Sequence, residues 1–281
     1  MSKVVFITGA GRGLGRNIAR EALSVGHQVV ATGRRTEDIE KTLGGPQDNL
    51  LVTTLDITSL EDAQTATEAS LDRFGRIDVL VNNAGDFFPG YFEEISPAQL
   101  RQQIETNLFG PMNVTRAILP AMRQQRAGHV ITITSALGVS GMEFTAAYTA
   151  SKFGVEGWME ALRYDVAPYG IRTTVVEPGF FRTDLLADGS RVWPELSIED
   201  YAPRTALMTE TWKSLNGKQP GDPAKLARAL LTIADQDEPP LRFVAGADAL
   251  DAVQSKARAL LAQTEESLGQ AGHLTLGSTE V

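Results

Sequence analysis

Short, nearly all-apolar runs alternate with longer stretches at helical spacing along most of this chain, and few folds accept that rhythm. The runs fall at 4–8, 28–32, 50–54, 77–81, 129–134 and 171–176, with a weaker one at 241–244. Continuous apolar runs, unlike alternating ones, suit strands covered on both faces. Helical stretches lie between them at 14–25, 59–74, 97–125, 147–168 and 222–235. The last opens on Asp222-Pro223, an N-cap followed by proline in the first turn. The order predicts a single α/β domain over 1–246: a doubly wound parallel sheet of about seven strands, with helices on both faces and right-handed crossovers. Its ligand crevice should open beyond the carboxyl ends of the strands.

The rhythm fails between about 180 and 220, where Phe180, Phe181, Trp193, Tyr201, Met208 and Trp212 cluster among polar residues. This insertion is expected to form a small helical lid over the crevice. Residues 247–281 read as a C-terminal extension, one amphipathic helix over 248–266 and then a polar tail. Composition narrows the partners. A net charge of −9 opposes nucleic-acid binding, which calls for a basic patch. The lack of cysteine removes disulfides, thiolate catalysis and thiolate metal sites. His27, His129 and His273 are scattered, and no metal is expected. No stretch reaches the ~20 apolar residues of a membrane helix, and no secretion signal precedes the first run. A cytoplasmic protein without membrane contact is the expectation.

The first strand leads straight into Thr8-Gly9-Ala10-Gly11-Arg12-Gly13-Leu14-Gly15, and a helix follows. Glycines let backbone approach a pyrophosphate without an intervening Cβ, and the helix N-terminus offers N–H groups and a partial positive charge. Between the first strand and first helix of an α/β chain, such a loop points to a nucleotide.

Thr-Gly-x-x-x-Gly-x-Gly, with Gly9, Gly13 and Gly15, resembles the motif of the short-chain dehydrogenase/reductase family, as do Asp56 after the third strand and Asn82-Asn83-Ala84-Gly85 after the fourth. The similarity spans about residues 3–246. It implies a Rossmann fold in which Asp56, with Ile57 beside it, meets the adenine, while Asn83, Ala84 and Gly85 line the cofactor. Read alone, Asp56 also suits a turn, and Asn82–Gly85 also suits a plain tight turn.

An acid ending the second strand would grip the ribose 2′-hydroxyl of NAD. Gly33 stands there instead, followed by Arg34, with Arg12 in the phosphate loop. Two guanidinium forks suit a 2′-phosphate, so NADP(H) is the expected cofactor, although either arginine alone also suits a solvated surface.

Tyr148 and Lys152 are four apart in a helical stretch and so share a face. A free phenol has a pKa of about 10, and a nearby ammonium is expected to lower it. The resemblance gives Lys152 a second task, holding the nicotinamide ribose. It makes Ser135 the group that orients the substrate oxygen and Asn107 the holder of a water linking lysine to solvent. Pro178, Gly179 and Thr183 match positions bordering the nicotinamide, where a strand-ending turn and a helix cap are the plainer alternatives. The implied reaction moves hydride between nicotinamide and a carbonyl or secondary alcohol, with Tyr148 as acid or base.

Candidate pocket walls are Phe87, Phe88, Leu137, Val139, Met142, Phe144, Phe180, Phe181 and Trp193. An aromatic lining would favour a bulky, hydrophobic small-molecule substrate, and the same residues would also serve as ordinary core. The aromatic lid and Pro240-Leu241-Arg242-Phe243 look most like a hydroxysteroid- and retinol-dehydrogenase-like branch. In the family the helices at 97–125 and 147–168 form subunit contacts, which implies a homodimer or homotetramer; packing within one subunit is the alternative. Two rival functions stand beside the reductase: an inactive NADP-sensing regulator, and an epimerase or dehydratase. The intact Asn107, Ser135, Tyr148, Lys152 set opposes the first, and the glycine spacing with the short chain opposes the second.

Overall fold

In the computed structural model, which describes residues 2–45, 47–187 and 190–271, seven strands form one wholly parallel sheet. They are β1 (Val4–Thr8), β2 (Gln28–Gly33), β3 (Leu50–Thr54), β4 (Val79–Asn82), β5 (Gly128–Ile133), β6 (Ile171–Pro178) and β7 (Arg242–Ala245). Their spatial order is β3-β2-β1-β4-β5-β6-β7. The chain winds outward from β1 to β3, then returns to lay β4 on the other side of β1. At that reversal the connections leave β1 and β4 toward opposite faces, and a crevice opens between them.

The period of two along each strand splits the core. Val5 and Ile7 pack with Leu14 and Ile18 of α1 (Gly13–Ser24) and Leu226 and Leu230 of α8 (Pro223–Ala234). Val4 and Phe6 face the other layer, with Ala66 of α3 (Leu60–Phe74), Ile118 of α5 (Gly110–Gln125) and Met159 of α6 (Ala146–Val166). Caps set the helix starts. Ser59 accepts from Asp62 N–H, and Ser96 and Gln99 form a reciprocal capping box. Asp222 accepts from the N–H groups of Ala224 and Lys225, as its Asp-Pro signature predicts.

Several boundaries differ from the sequence reading. Helix α2 (Thr36–Leu43) has no counterpart in the sequence reading: it is only eight residues long and buries only Ile39 and Leu43. The long helix expected over 97–125 is instead α4 (Pro97–Ile104), a π-helical turn over Glu105–Phe109, and α5. Pro111 lacks the N–H that would reach the Asn107 carbonyl four residues back, so the regular ladder fails where the turn widens. Strand β4 starts at Val79, not 77. Among the described residues of the expected lid lie a 3₁₀ turn over Asp184–Leu186 and helix α7 (Ala202–Leu215). The last helix, α9 (Ala247–Ala271), runs beyond 266; residues 272–281, the predicted polar tail, fall outside the described residues.

His129 at the start of β5 is 5% exposed, and its Nε2 lies 2.8 Å from Thr174 Oγ1. Burial depresses its imidazole to about 4, helped by the charges of Lys3 and Arg172. An unfolded histidine titrates near 6.5, so between these values the unfolded chain binds a proton that the native state refuses. Stability therefore rises with pH across that window and is lost on acidification, about 2 kcal/mol of it by pH 5. Urea midpoints at pH 7 and pH 5 should lie closer together in His129→Gln than in the wild type. Equal pH dependence in the two proteins would remove this residue as the cause.

Candidate active site

Beyond β1 the backbone turns through Gly9 and Gly13, both at positive φ (68° and 54°). Gly15 is enforced by contact: a Cβ there would stand 2.3 Å from the Gly9 carbonyl oxygen and 2.5 Å from Asn83 Nδ2. The loops after β1 and β4 are joined across the reversal. Thr8 Oγ1 accepts from the N–H groups of Asn83 (2.9 Å) and Ala84 (3.0 Å), while Asn83 Nδ2 donates to the carbonyls of Thr8 (2.9 Å) and Gly9 (3.3 Å). Helix α1 begins with Arg12 at its N-cap and no capping side chain. Gly13 N–H donates to Asp184 Oδ2 (3.2 Å), so a carboxylate already rests on the anion-seeking end of the helix. Arg12 Nη1 donates to Ser190 Oγ (2.6 Å).

Above these loops lies a cleft of about 1100 Å³. Most of the residues expected there line it: Gly9, Arg12, Gly13, Leu14, Arg34, Asp56, Ile57, Asn83, Ala84, Gly85, Phe87, Ser135, Leu137, Tyr148, Lys152, Pro178, Gly179, Phe180, Phe181 and Thr183. Gly15 packs beneath the loop and Asn107 behind the wall. At two positions the plainer reading also holds. Asp56 Oδ1 accepts from Thr58 N–H (3.0 Å) and Oγ1 (2.8 Å), making a turn, and Thr183 caps the 3₁₀ turn. Gly33 ends β2 without a carboxylate; a Cβ there would lie 3.2 Å from Ile39 Cδ1. Arg34 is exposed at the rim, and Arg35 beside it pairs with Asp38 (2.8 Å).

The pocket walls need correction. Phe144, at φ 67° and 3% exposed, is not part of the lining and packs edge-on to Tyr91 with centroids 5.0 Å apart. Trp193 does not line the cleft either; its ring lies under the Arg191 guanidinium (4.9 Å) and its carbonyl accepts from Gln99 Nε2 (2.8 Å). Phe88 is core, Met142 is exposed on the surface, and Val139 is not part of the lining. The sequence reading did not assign Leu185, Leu186, Trp212 and Gln219 to the lining. Trp212 stood out as a lid aromatic, but nothing in its spacing showed that it contacts Phe87 (4.9 Å) and Phe180 (5.9 Å).

At the inner end Tyr148 stands edge-on to Phe87, centroids 5.0 Å apart at 90°. Lys152 Nζ donates to the Ile133 carbonyl (3.0 Å) and lies 5.6 Å from the Tyr148 ring centroid. Among the protein's own groups, the expected lowering of the tyrosine pKa is reversed. Burial pushes Tyr148 up to about 12, with a hydrogen bond to Ser135 opposing. Burial brings Lys152 down to about 8, with the Glu156 charge opposing. The cause is burial of the ring against Phe87, while the ammonium is held by the Ile133 carbonyl. Asn107 uses both ends of its amide on Asp86, accepting from its N–H (2.8 Å) and donating to its carbonyl (2.9 Å); Nδ2 also meets Ser151 Oγ (3.2 Å).

Chemically, this cleft combines a glycine cradle and helix terminus for an anion, cations at one rim, and a phenol with an ammonium at the far end. Such a set fits a phosphorylated dinucleotide beside a carbonyl or alcohol. Among the described residues no cluster of His, Asp or Glu suits a metal, and no helix is long and apolar enough to cross a membrane.

Comparison with known proteins agrees with this architecture. The short chain dehydrogenase family pattern matches residues 3–191. A 3-ketodihydrosphingosine reductase of Bacteroides thetaiotaomicron is 36% identical over 250 residues, 87% of this chain and 88% of that protein. A short-chain dehydrogenase structure from Streptomyces avermitilis matches with a TM-score of 0.89 at 36% identity, covering 98% of this chain and 100% of that one. ElxO, solved with NADP bound, matches with a TM-score of 0.72 at 25% identity over 87% of this chain and 97% of that one. With the pattern covering well over half its length, this chain belongs to the short-chain dehydrogenase family.

Proposed function

We propose that this protein reduces bulky, apolar ketones or aldehydes with NADPH and runs the reverse oxidation on the matching alcohols. The observation that carries the reading is the shared cleft: Ser135, Tyr148 and Lys152 line the same space as the phosphate-loop glycines. When bound, NADPH supplies the hydride that joins the carbonyl carbon. Ser135 hydrogen-bonds the substrate oxygen and turns it toward Tyr148. The phenol, fully protonated at neutral pH behind its aromatic wall, is in the form that reduction needs, and it gives its proton to the forming alkoxide. Lys152, still largely charged below about 8, stabilises the phenolate left behind. Asn107 holds the Gly85–Asp86 floor in place and does not touch the reactants.

For the cofactor, the glycine loop and the α1 terminus would take the pyrophosphate in exchange for the Asp184 carboxylate now on Gly13 N–H, and Arg12 and Arg34 the 2′-phosphate. Asp56 and Ile57 would meet the adenine, with Asn83–Gly85, Pro178, Gly179 and Thr183 around the nicotinamide. Gly33 in place of a carboxylate, and the NADP bound to ElxO, support the choice of NADP. Phe87, Leu137, Phe180, Phe181, Leu186 and Trp212 give the substrate end its apolar character, and the Bacteroides relative is named for reducing a keto compound. We assign the exposed aromatics of the π turn and α6, Phe109, Phe153 and Tyr164, to a homo-oligomer contact.

The test is NADPH oxidation across ketones graded by hydrophobic size, repeated with NADH. Bulky apolar ketones should turn over fastest, with NADPH favoured at least about tenfold; a preference for small ionic carbonyls would overturn the pocket reading. Arg34→Ala should weaken NADPH binding about tenfold, the lower range for an exposed charge-assisted contact, and leave NADH binding nearly unchanged. Equal losses for both cofactors would remove Arg34 from the 2′-phosphate.

A further inference from the structure

Helix α6 is fastened to the end of β5 at three successive turns. Tyr148 stands by Ser135, Lys152 Nζ donates to the Ile133 carbonyl (3.0 Å), and Glu156 Oε1 accepts from Thr134 Oγ1 (2.5 Å). The first two contacts belong to the candidate site; the third has no part in the reaction. Glu156 is 6% exposed and lies one turn beyond Lys152 on the same face of the helix. Its other oxygen accepts from Arg242 Nη1 (2.5 Å), which also donates to Glu177 Oε1 (2.6 Å) at the end of β6, while Arg242 Nη2 reaches Glu160 (3.2 Å). Glu177 is wholly buried, and its second oxygen has no hydrogen-bond partner among the described residues. One arginine on the edge strand thus serves three carboxylates, two of them inside the protein, directly behind the lysine. Burying such charges is costly, and a structural tie between α6 and β7 would not require them.

We infer that Glu156, kept ionised by Arg242, is a positioning residue that holds Lys152 charged and directed at Tyr148. This inference rests on the reading of Tyr148 and Lys152 as the reacting pair. The groups around the lysine allow few alternatives. On α6 the ionisable neighbours are Tyr148 and Glu156. Among the described residues, β5 and the residue after it contribute the neutral Ile133 carbonyl and Thr134 hydroxyl, and across Gly85 stands the neutral Asn107 amide, with Asp86 next to it in the cleft wall. Glu177 and Arg242 act from β6 and β7 through Glu156. Burial removes charge from Lys152, and Glu156 is the negative group that opposes it. Burial, with the charge of Glu177, pushes Glu156 up from the usual carboxylate range, and Thr134 and Arg242 limit that rise. Loss of the arginine should therefore weaken the lysine through the carboxylate.

A lysine acts as a cation below its pKa and loses that role as pH rises through it. Removing the neighbouring negative charge lowers the pKa, so the alkaline limb of activity should move to lower pH. The direct measurement is the pH dependence of Lys152 acetylation by trace acetic anhydride in the intact protein, read from the Lys152 peptide by mass spectrometry. It is compared with the pH profile of kcat in the same variants. In Glu156→Gln the labelling midpoint should fall by about one pH unit, and the alkaline limb of kcat with it. Arg242→Gln should shift both the same way, and Glu156→Asp should restore most of the loss. Unmoved midpoints in Glu156→Gln and Arg242→Gln, even with lower melting temperatures, would reduce the cluster to a structural tie and overturn the inference. Labelling requires no turnover. A protein inert on every carbonyl would defeat the catalytic reading by itself, while the midpoints would still decide whether Glu156 controls the lysine.

Discussion

Tyr148→Phe is expected to lower turnover at least about a thousandfold while leaving NADPH affinity within about twofold of the wild type. The substitution removes one oxygen and keeps the ring, so the edge-on contact with Phe87 and the aromatic packing survive. Because burial holds the phenol up to about 12, no charge disappears at neutral pH and the electrostatics of the cofactor end are unchanged. What is lost is the proton for the forming alkoxide. General acid catalysis is worth about 10²–10⁴-fold, and the apolar ring of Phe87 beside Tyr148 offers no second donor. Single-turnover NADPH oxidation measures the chemical step, and a fluorescence titration measures binding. A variant within about tenfold of wild-type rate would take Tyr148 out of the chemistry.

Gly15→Ala should damage fold and cofactor site together. The added methyl would meet the Gly9 carbonyl oxygen at 2.3 Å and Asn83 Nδ2 at 2.5 Å, and the first of these is backbone that cannot rotate aside. The loop must open, which pulls on the Thr8–Asn83 contacts joining the two sides of the crevice. Overpacking of this kind costs about 1–3 kcal/mol, a fall in melting temperature of several degrees for a domain this size. NADPH affinity should fall by more than about tenfold as the glycine cradle loses its shape. Gly157→Ala in α6 is the control, since its Cβ would meet nothing within 4 Å. If both variants melt and bind like the wild type, the close approach at Gly15 carries no weight.

The sheet was legible in the sequence because a strand buried on both faces must be apolar throughout, and that condition leaves a mark on every residue from Val4 to Ile7. The phosphate loop was legible for a related reason: Gly9, Gly13 and Gly15 are each required by backbone geometry, so the residue type records the conformation. Direction was not legible. Phe144 and Phe180 look alike as letters, and both join one apolar cluster, yet only Phe180 lines the cleft. Helix α2 buries two side chains and, at eight residues, is too short to stand out. The charge state of Tyr148 depends on how much water surrounds it, so the four-residue spacing to Lys152 suggested a shift opposite to the one burial produces. Glu156, Glu177 and Arg242 meet only because β6 and β7 are neighbours, and no local pattern announces that.

The widened turn between α4 and α5 has a consequence for the floor of the crevice. Gln103 and Asn107 hold the segment after β4 by their side chains: Gln103 accepts from Phe88 N–H (2.9 Å) and donates to the Asp86 carbonyl (2.9 Å), and Asn107 takes both polar groups of Asp86. Two amides thus act as rungs of a ladder that has no strand. A connection that would otherwise wander in solvent is registered to a helix as firmly as one strand is to the next, so the reacting end of the molecule gains the stiffness of a sheet in a place where the sheet has already ended.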